Sequence, residues 1–259
     1  MNSGYIINGN NSGYVVYDGA GIAANCTQVA KQQWSYNLGI LMSGAAYMYN
    51  YTSISGSSSK SSSSNSSTGG QVADAAYWGQ ELDNLVGGME FFFKDGIMYE
   101  HQCEDSATCN NDQRSFKSIF SRCLAITARL APDHASNIMD YLSKSAEAAA
   151  KTCSGGTDGI TCGQKWTVDG WDTLYGLGEQ LSALEVMQST LILETDVAPA
   201  PLSNSTGGTS QGNTNAGLDT KDATNVNEIT VKEKDKAGAA VITAVVLSIL
   251  MAMCVWMLI

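Results

Sequence analysis

Basic side chains are scarce in this chain. Its 259 residues carry 14 Lys and Arg against 25 Asp and Glu, a formal charge of −11 and a pI near 4.5. A nucleic-acid binder needs a basic face to displace phosphate counterions, so that class is excluded. Charged residues of both signs make up only 15%, against roughly 25% in an average soluble domain. Histidine is nearly absent: His101 and His134 stand alone, neither at ligand spacing, so no metal and no cofactor is expected. Nucleophile-elbow, P-loop and dinucleotide signatures are missing too, and no strand–helix alternation points to an α/β sheet. Apolar residues reach 44%, enough for a core and too many for wholesale disorder. Gly, Ser, Thr and Asn take the place of charge, a composition common on secreted, glycosylated surfaces.

Two further signals point to the secretory pathway. Asn-x-Ser/Thr sequons occur at Asn10, Asn25, Asn50, Asn65 and Asn204, sites for N-glycosylation. Cys103 with Cys109, and Cys153 with Cys162, bracket polar loops whose lengths suit loop-closing disulfides. Of the other three cysteines, Cys123 falls on an apolar helix face and reads as an inert core thiol. Cys26 and Cys254 are left over.

The two ends disagree. Residues 237–259 are uncharged and apolar to the last residue, following Lys232-Glu233-Lys234-Asp235-Lys236 and a small-residue linker over 196–236. No basic stop follows the apolar run, so the arrangement reads as a GPI-attachment signal, with Asn215, Asn225 or Asn227 as candidate cleavage residues. A tail-anchored transmembrane helix is the alternative. The start, MNSGYIINGN, has neither a basic n-region nor an apolar h-region. A natural N-terminus upstream of Met1 is therefore expected.

Between the ends the pattern is helical. Tyr5–Ile7 and Tyr14–Tyr17 flank a turn-rich segment and read as a hairpin. Five amphipathic helices follow, marked by Trp34, Leu38, Leu41, Ala45 and Met48; by Trp78, Leu82, Leu85, Met89 and Phe92; by Phe116, Ile119, Phe120, Cys123, Thr127 and Leu130; by Ile138, Tyr141, Leu142, Ser145 and Ala149; and by Leu174, Leu177, Leu181, Leu184 and Leu191. Pro132 separates the third from the fourth, and a Ser-rich insertion spans 53–71. The expectation is an all-α array of antiparallel hairpins.

The polar clusters lie at helix starts: Gln33-Trp34-Ser35-Tyr36-Asn37, then Gly96–Glu100 between helices, then Asn110–Lys117, and Trp171-Asp172 with Gly176–Gln180. In an antiparallel array such starts can meet at one rim. Aromatic faces on sugar rings, with amides and carboxylates reaching hydroxyls, would make a carbohydrate site. Plainer readings stand beside this one. Asp112 reads equally as a helix N-cap, Trp34 and Trp78 as core, Glu100 and Glu179 as surface or supporting groups, and Lys117 and Arg122 as partners of nearby carboxylates.

At these clusters the sequence resembles a known family. The succession YDG, QWSYN, AAYMYN, GIMYEHQCE, CNNDQRSFKSIFSR, CSGGTDGITCG with Trp166, and GWDTLYGLGEQLSALEVMQ is similar to the fungal glycoside hydrolases of family 76, the GPI-anchored mannan endo-1,6-α-mannosidases. The likeness covers residues 14–195, the C-terminal half of the family domain. It implies a partial (α/α)6 barrel over 1–195, a toroid in which inner helices line a cleft and outer ones brace it, followed by the hydrophobic tail. It also implies hydrolysis or transglycosylation of α-1,6-mannose linkages in mannan or in a GPI-anchor glycan, in cell-wall biogenesis at the outer face of the membrane. Trp34, Tyr36, Asn37, Glu100, Asp112, Gln113 and Lys117 carry over as substrate-contact residues, and an upstream family cysteine would pair with Cys26.

One departure matters. The family's catalytic Asp-Asp pair has no counterpart, because this sequence contains no Asp-Asp, and a retaining glycosidase needs two carboxyls about 5–5.5 Å apart. The pair is expected upstream, with Asp112 and Glu100 as a remote substitute. The alternative function is a non-catalytic, GPI-anchored mannan-binding or structural wall protein. Half a toroid would also leave apolar faces wet, so the isolated 1–220 segment is expected to be poorly soluble or dimeric.

Overall fold

The computed structural model describes residues 6–9, 13–58 and 74–194, together with 241, 243–246 and 248. The chain divides into units 1–208 and 209–259. In the second unit the described residues are helical, and Ser248 Oγ donates to the Ala244 carbonyl at 2.8 Å. Among the described residues no helix is long and apolar enough to cross a membrane. Most of the tail, the 196–236 linker, and Asn10, Asn65, Asn204 and Cys254 lie outside the described residues.

The first unit is mostly helical. It contains α1 (Ser35–Ser58), α2 (Ala75–Gly88), α3 (Phe116–Leu130), α4 (Pro132–Thr152) and α5 (Leu177–Ser189). Among the described residues three antiparallel two-stranded ribbons accompany them: β1 (Ile6–Gly9) with β2 (Gly13–Val16), β3 (Gly19–Ala20) with β4 (Val29–Ala30), and β5 (Phe93–Lys94) with β6 (Ile97–Met98). The expected first hairpin pairs Ile6 with Val16 and packs β2 on α2. The other two ribbons have strands of two residues, too short to show alternation in sequence.

Local chemistry explains the helix bounds. Asp74 caps α2 by accepting from Tyr77 N at 2.9 Å. Leu130 ends α3, and Pro132 is the first residue of α4, where a missing N–H costs nothing. Asp133 in the first turn of α4 and Lys151 in its last complement the helix dipole. α1 runs to Ser58 and so takes in the first residues of the 53–71 insertion.

The helix α3 packs against α1, α4 and α5, while α2 packs on α1, and α4 on α5. Leu38, Met42, Leu82, Leu85, Phe120, Leu124, Ile138, Leu142 and Trp166 form the buried core. At Gly39 a Cβ would stand 2.9 Å from the Phe120 ring and 3.1 Å from Cys123 Cβ, so only glycine allows α1 this close to α3.

Two apolar stripes read from sequence are corrected. In α1 the buried face is Leu38, Met42, Ala45 and Ala46, while Met48 is exposed and Trp34, half-buried, precedes the helix. On α5 Leu177 is 84% exposed and Leu184 54%, while Leu181 is half-buried, and Leu191, 43% exposed, lies past the helix end. The inner face of α5 is Glu179, Ser182, Ala183, Val186 and Ser189. Close helix contact selects small side chains, and a search for large apolar residues therefore finds the opposite face. Trp78 is half-buried rather than core, and Leu174 precedes α5.

Candidate functional site

The starts of α1, α3 and α5 meet. Trp34 and Tyr36 set their rings against Phe116, the first residue of α3, with centroids 5.4 and 4.4 Å apart. On the other side of α3, Arg114 Nη1 donates to Glu179 Oε1 at 3.0 Å, and Ser182 Oγ donates to the Arg114 carbonyl at 3.0 Å. At Gly178 a Cβ would come within 3.0 Å of Arg114 Cβ and 3.2 Å of Ser115 N. Glycine is thus what lets the α5 start touch the α3 start.

The rim formed by α1 and α3 is polar and aromatic. Asp18, in the turn before β3, accepts from Asn37 Nδ2 at 3.0 Å and from the Tyr36 hydroxyl at 3.4 Å. Burial pushes the Tyr36 phenol above its usual pKa, Asp18 adds to that, and Asp112 adds a smaller push. Asp112 is exposed and makes no capping bond, so its reading as an N-cap is corrected. Asn110 takes that role. Its Oδ1 accepts from Gln113 N while Gln113 Oε1 accepts from Asn110 N, each at 2.9 Å, a reciprocal capping box. Gln113 is therefore committed to the backbone.

Beneath the rim lies a buried charge network. Glu100 has no exposed surface, and Ser35 at the start of α1 donates to it from both Oγ and N, the latter at 3.4 Å. Glu100 thereby serves as a long-range cap for α1 and anchors the turn carrying Trp34, Tyr36 and Asn37. Desolvation raises its pKa to about 8, against the lowering effect of the Ser35 bonds. Glu100 N in turn donates to Glu104 Oε2 at 3.0 Å. Glu104 pairs with Lys117 at 3.1 Å, both side chains 1% exposed. Burial pushes the Glu104 carboxyl up, opposed by Lys117. Lys117 also donates to the Gln164 carbonyl and sits 3.9 Å from the Trp166 ring centroid.

Of the seven residues carried over from the resemblance, Trp34, Tyr36, Asn37 and Asp112 come together at the rim. Gln113 stands next to them. Glu100 and Lys117 do not reach the surface, so they support the rim rather than touch a ligand. Glu100 and Asp112 consequently form no exposed carboxyl pair. Glu179 is also buried, not on the surface.

Sequence reasoning assigned no role to Glu104 or Gln164, and it placed Asp18, Ser35 and Trp166 in motifs without their partners: Ser35 meets Glu100 65 positions away and Gln164 meets Lys117 47 away. The sulfurs of Cys103 and Cys109 are bonded, as are those of Cys153 and Cys162. The first bridge closes the loop carrying Glu104 and the Cys109 carbonyl, which accepts from Arg114 Nε at 3.1 Å. Cys123 is a buried free thiol and Cys26 an exposed one. Arg122 pairs with Glu185. Asn25 is exposed, whereas the half-buried Asn50 donates to the Leu130 carbonyl at 3.5 Å.

Fold and rim together define a mostly helical protein that gathers aromatic, amide and carboxylate groups at the starts of alternate helices. The chain belongs to glycosyl hydrolase family 76, whose model matches residues 1–205. It is 48% identical to the mannan endo-1,6-alpha-mannosidase DFG5 of Saccharomyces cerevisiae over 94% of this chain and 48% of that protein. It is 43% identical to the DFG5 protein of Candida albicans over 98% and 51%. The crystal structure of Dfg5 from Chaetomium thermophilum in complex with glucosamine superposes with a TM-score of 0.64 at 33% identity, covering 83% of this chain and 48% of that one. The chain thus spans about half the length of the curated relatives it matches.

Proposed function

We propose that this chain supplies the substrate-binding rim of a mannan endo-1,6-α-mannosidase acting on α-1,6-mannose linkages, by hydrolysis or transglycosylation, in fungal cell-wall biogenesis. The carrying observation is the convergence of Trp34, Tyr36, Asn37, Asp18 and Asp112 where α1 meets α3. The relatives' names and their 43–48% identity support the linkage. In this reading Trp34 and Tyr36 offer faces to a mannose ring, and Asp112, Asn37 and Asp18 bind its hydroxyls. Asp18 and Asn37 already hold each other, so the rim is set before ligand arrives and less ordering entropy is lost on binding.

The finer architecture follows the same proposal. Residues 1–195 form part of an (α/α)6 toroid with α1, α3 and α5 as inner helices and α2 and α4 as outer ones. The outward leucines of α5 then face further helices of the family domain, and the catalytic Asp-Asp pair comes from outside this sequence. Residues 196–236 are a linker, and 237–259 a GPI signal, or else a transmembrane helix, that places the protein at the outer cell surface. The substrate is mannan or the glycan of a GPI anchor.

The test is a chimera in which residues 14–195 replace the matching half of the Saccharomyces relative. Release of shorter oligosaccharides from α-1,6-mannan is expected, and Trp34→Ala should reduce it at least about tenfold, which is about 1.4 kcal/mol of transition-state binding. A folded chimera without cleavage would favour a second reading, a non-catalytic mannan-binding wall protein. That reading is motivated by the absence of Asp-Asp and by the burial of Glu100 and Glu104.

A further inference from the structure

Two of the five sequons fall on described residues, and the fold treats them in opposite ways. Asn25 ends the single-turn helix Ile22–Ala24, at the tip of the loop that joins β3 to β4. Asn50 lies inside α1. Transfer of a glycan needs an Asn amide and, two residues on, a hydroxyl that can be reached together with it. Afterwards the site needs room for a bulky, solvated polymer.

The Asn25 loop meets both needs. Asn25, Cys26 and Thr27 are exposed, and among the described residues no hydrogen bond engages the Asn25 side chain. The backbone there is fixed rather than loose. Asn25 N donates to the Ile22 carbonyl at 2.9 Å, Cys26 N to the Gly21 carbonyl at 3.1 Å, and Gly21 N to the Gln28 carbonyl at 3.2 Å. Asn25 has a φ of 50°, in the left-handed region that Asn enters more readily than most residues. The tip therefore holds the sequon outward in one conformation.

Asn50 is closed by the same criteria. Its Nδ2 faces α3 and donates at 3.5 Å to the carbonyl of Leu130, a residue 4% exposed. Thr52 Oγ1 turns back into its own helix and donates to the Met48 carbonyl at 2.7 Å. On a helix, residues two apart point to different sides, so amide and hydroxyl cannot be gripped together. A glycan on that nitrogen would push α1 away from the end of α3.

A separate observation marks what a glycan at Asn25 would do. Ile22 is 89% exposed, more than any other large apolar side chain among the described residues. Positions three apart eclipse each other on so tight a turn, and the bond from Asn25 N to the Ile22 carbonyl stacks the two residues. The first sugar on Asn25 would thus lie over the Ile22 side chain and take its apolar surface out of water.

We propose that Asn25 is an N-glycosylation site whose first N-acetylglucosamine covers Ile22, and that the folded protein carries no glycan at Asn50. The donor is an oligosaccharide linked through a diphosphate to a polyprenol. A bond forms from Asn25 Nδ2 to C1 of the reducing-end N-acetylglucosamine as the bond from C1 to the diphosphate oxygen breaks. The amide gives up one proton, the polyprenyl diphosphate leaves, and nothing is oxidised or reduced. The assignment rests on the proposed passage to the cell surface and not on the carbohydrate reading of the rim.

The experiment expresses the full chain in yeast behind a cleavable secretion leader, so that delivery to the glycosylating enzyme does not depend on the chain's own signals. Enzymatic release of the glycans in heavy-oxygen water marks every occupied Asn for mass spectrometry. Asn25 should be marked and Asn50 not. Thr27→Ala should leave Asn25 unmarked, and Thr27→Ser should keep it marked. An unmarked Asn25 in the wild type would overturn the site and leave the cell-surface reading standing, as would a mark that persists in Thr27→Ala. A marked Asn50 in cooperatively unfolding protein would overturn its closure. Trimming every glycan to its first N-acetylglucosamine should leave the binding of an apolar dye unchanged, whereas complete removal should raise it, an increase that Ile22→Ser abolishes. Equal dye binding by the trimmed and the fully released protein would overturn the covering role.

Discussion

Lys117→Met isolates the energetics of the buried network. The methionine stem retains most of the lysine's apolar packing, so the loss reports on charge. Three interactions disappear: the 3.1 Å pair with Glu104, the bond to the Gln164 carbonyl, and the cation–π contact at 3.9 Å from Trp166. Breaking a buried pair by removing one partner costs about 3–5 kcal/mol, because the remaining charge is stranded out of water. That is a large share of a typical net stability of about 5–15 kcal/mol. Glu104 has an escape: burial already pushes its carboxyl up, and without Lys117 it is pushed further, so it takes up a proton. The sign is then fixed. A carboxyl whose folded pKa exceeds its unfolded value confers stability that is complete at low pH and lost as pH rises towards the folded pKa. The variant should accordingly lose more stability at pH 8 than at pH 5. Adding Glu104→Gln should restore part of the loss, since both charges are then gone. Urea denaturation followed by far-UV circular dichroism measures all four corners of this cycle. A Lys117→Met cost below about 1 kcal/mol at pH 8, or an equal cost at both pH values, would refute the argument.

Glu100 makes a similar claim in wild type: with its folded pKa at about 8, stability should fall between pH 4.5 and pH 8, and Glu100→Gln should flatten that dependence when urea midpoints are compared at pH 5 and pH 8.5; a flat wild-type profile would count against burial as the dominant influence. Leu177 and Leu184 of α5 are exposed seven residues apart, and Leu191 just past the helix end is exposed too, an apolar edge suited to another helix. The full chain should therefore self-associate at micromolar concentration in sedimentation velocity, and Leu184→Glu should shift it towards monomer; a wild type that sediments as monomer throughout would contradict this.

How much of this was legible in the sequence differs by level. Helices were readable because their repeat is local: α3 begins and ends where its apolar rhythm does, and Pro132 marks the junction with α4. Faces were less readable. In α5 the pattern of leucines is real, but the side packed on α3 is built from Ser182, Ala183 and Ser189, because close approach excludes bulk. The rim was readable as a set of residue types at helix starts, since Trp34, Tyr36 and Asn37 share one turn. Its supports were not. Asp18 arrives from a turn before β3, and Glu100 from a loop 65 residues beyond Ser35.

That division has a physical cause. A rim that stacks on sugar must keep part of its aromatic surface in water, so the half-buried Trp34 and Tyr36 gain only part of the packing of a core residue and a second source must fix their position. Here the fixing comes from below. Glu100 holds the first turn of α1, Glu104 holds the backbone of Glu100, and Lys117 on α3 holds Glu104. The chain of contacts ties the α1 start to the α3 start through groups that never meet solvent. Low local dielectric strengthens each of these bonds and penalises any one left unpaired, so the two starts move together or the network breaks. Perturbing Glu104 should therefore displace Trp34 and Tyr36, although neither touches it, and should do so through geometry rather than through loss of a ligand contact.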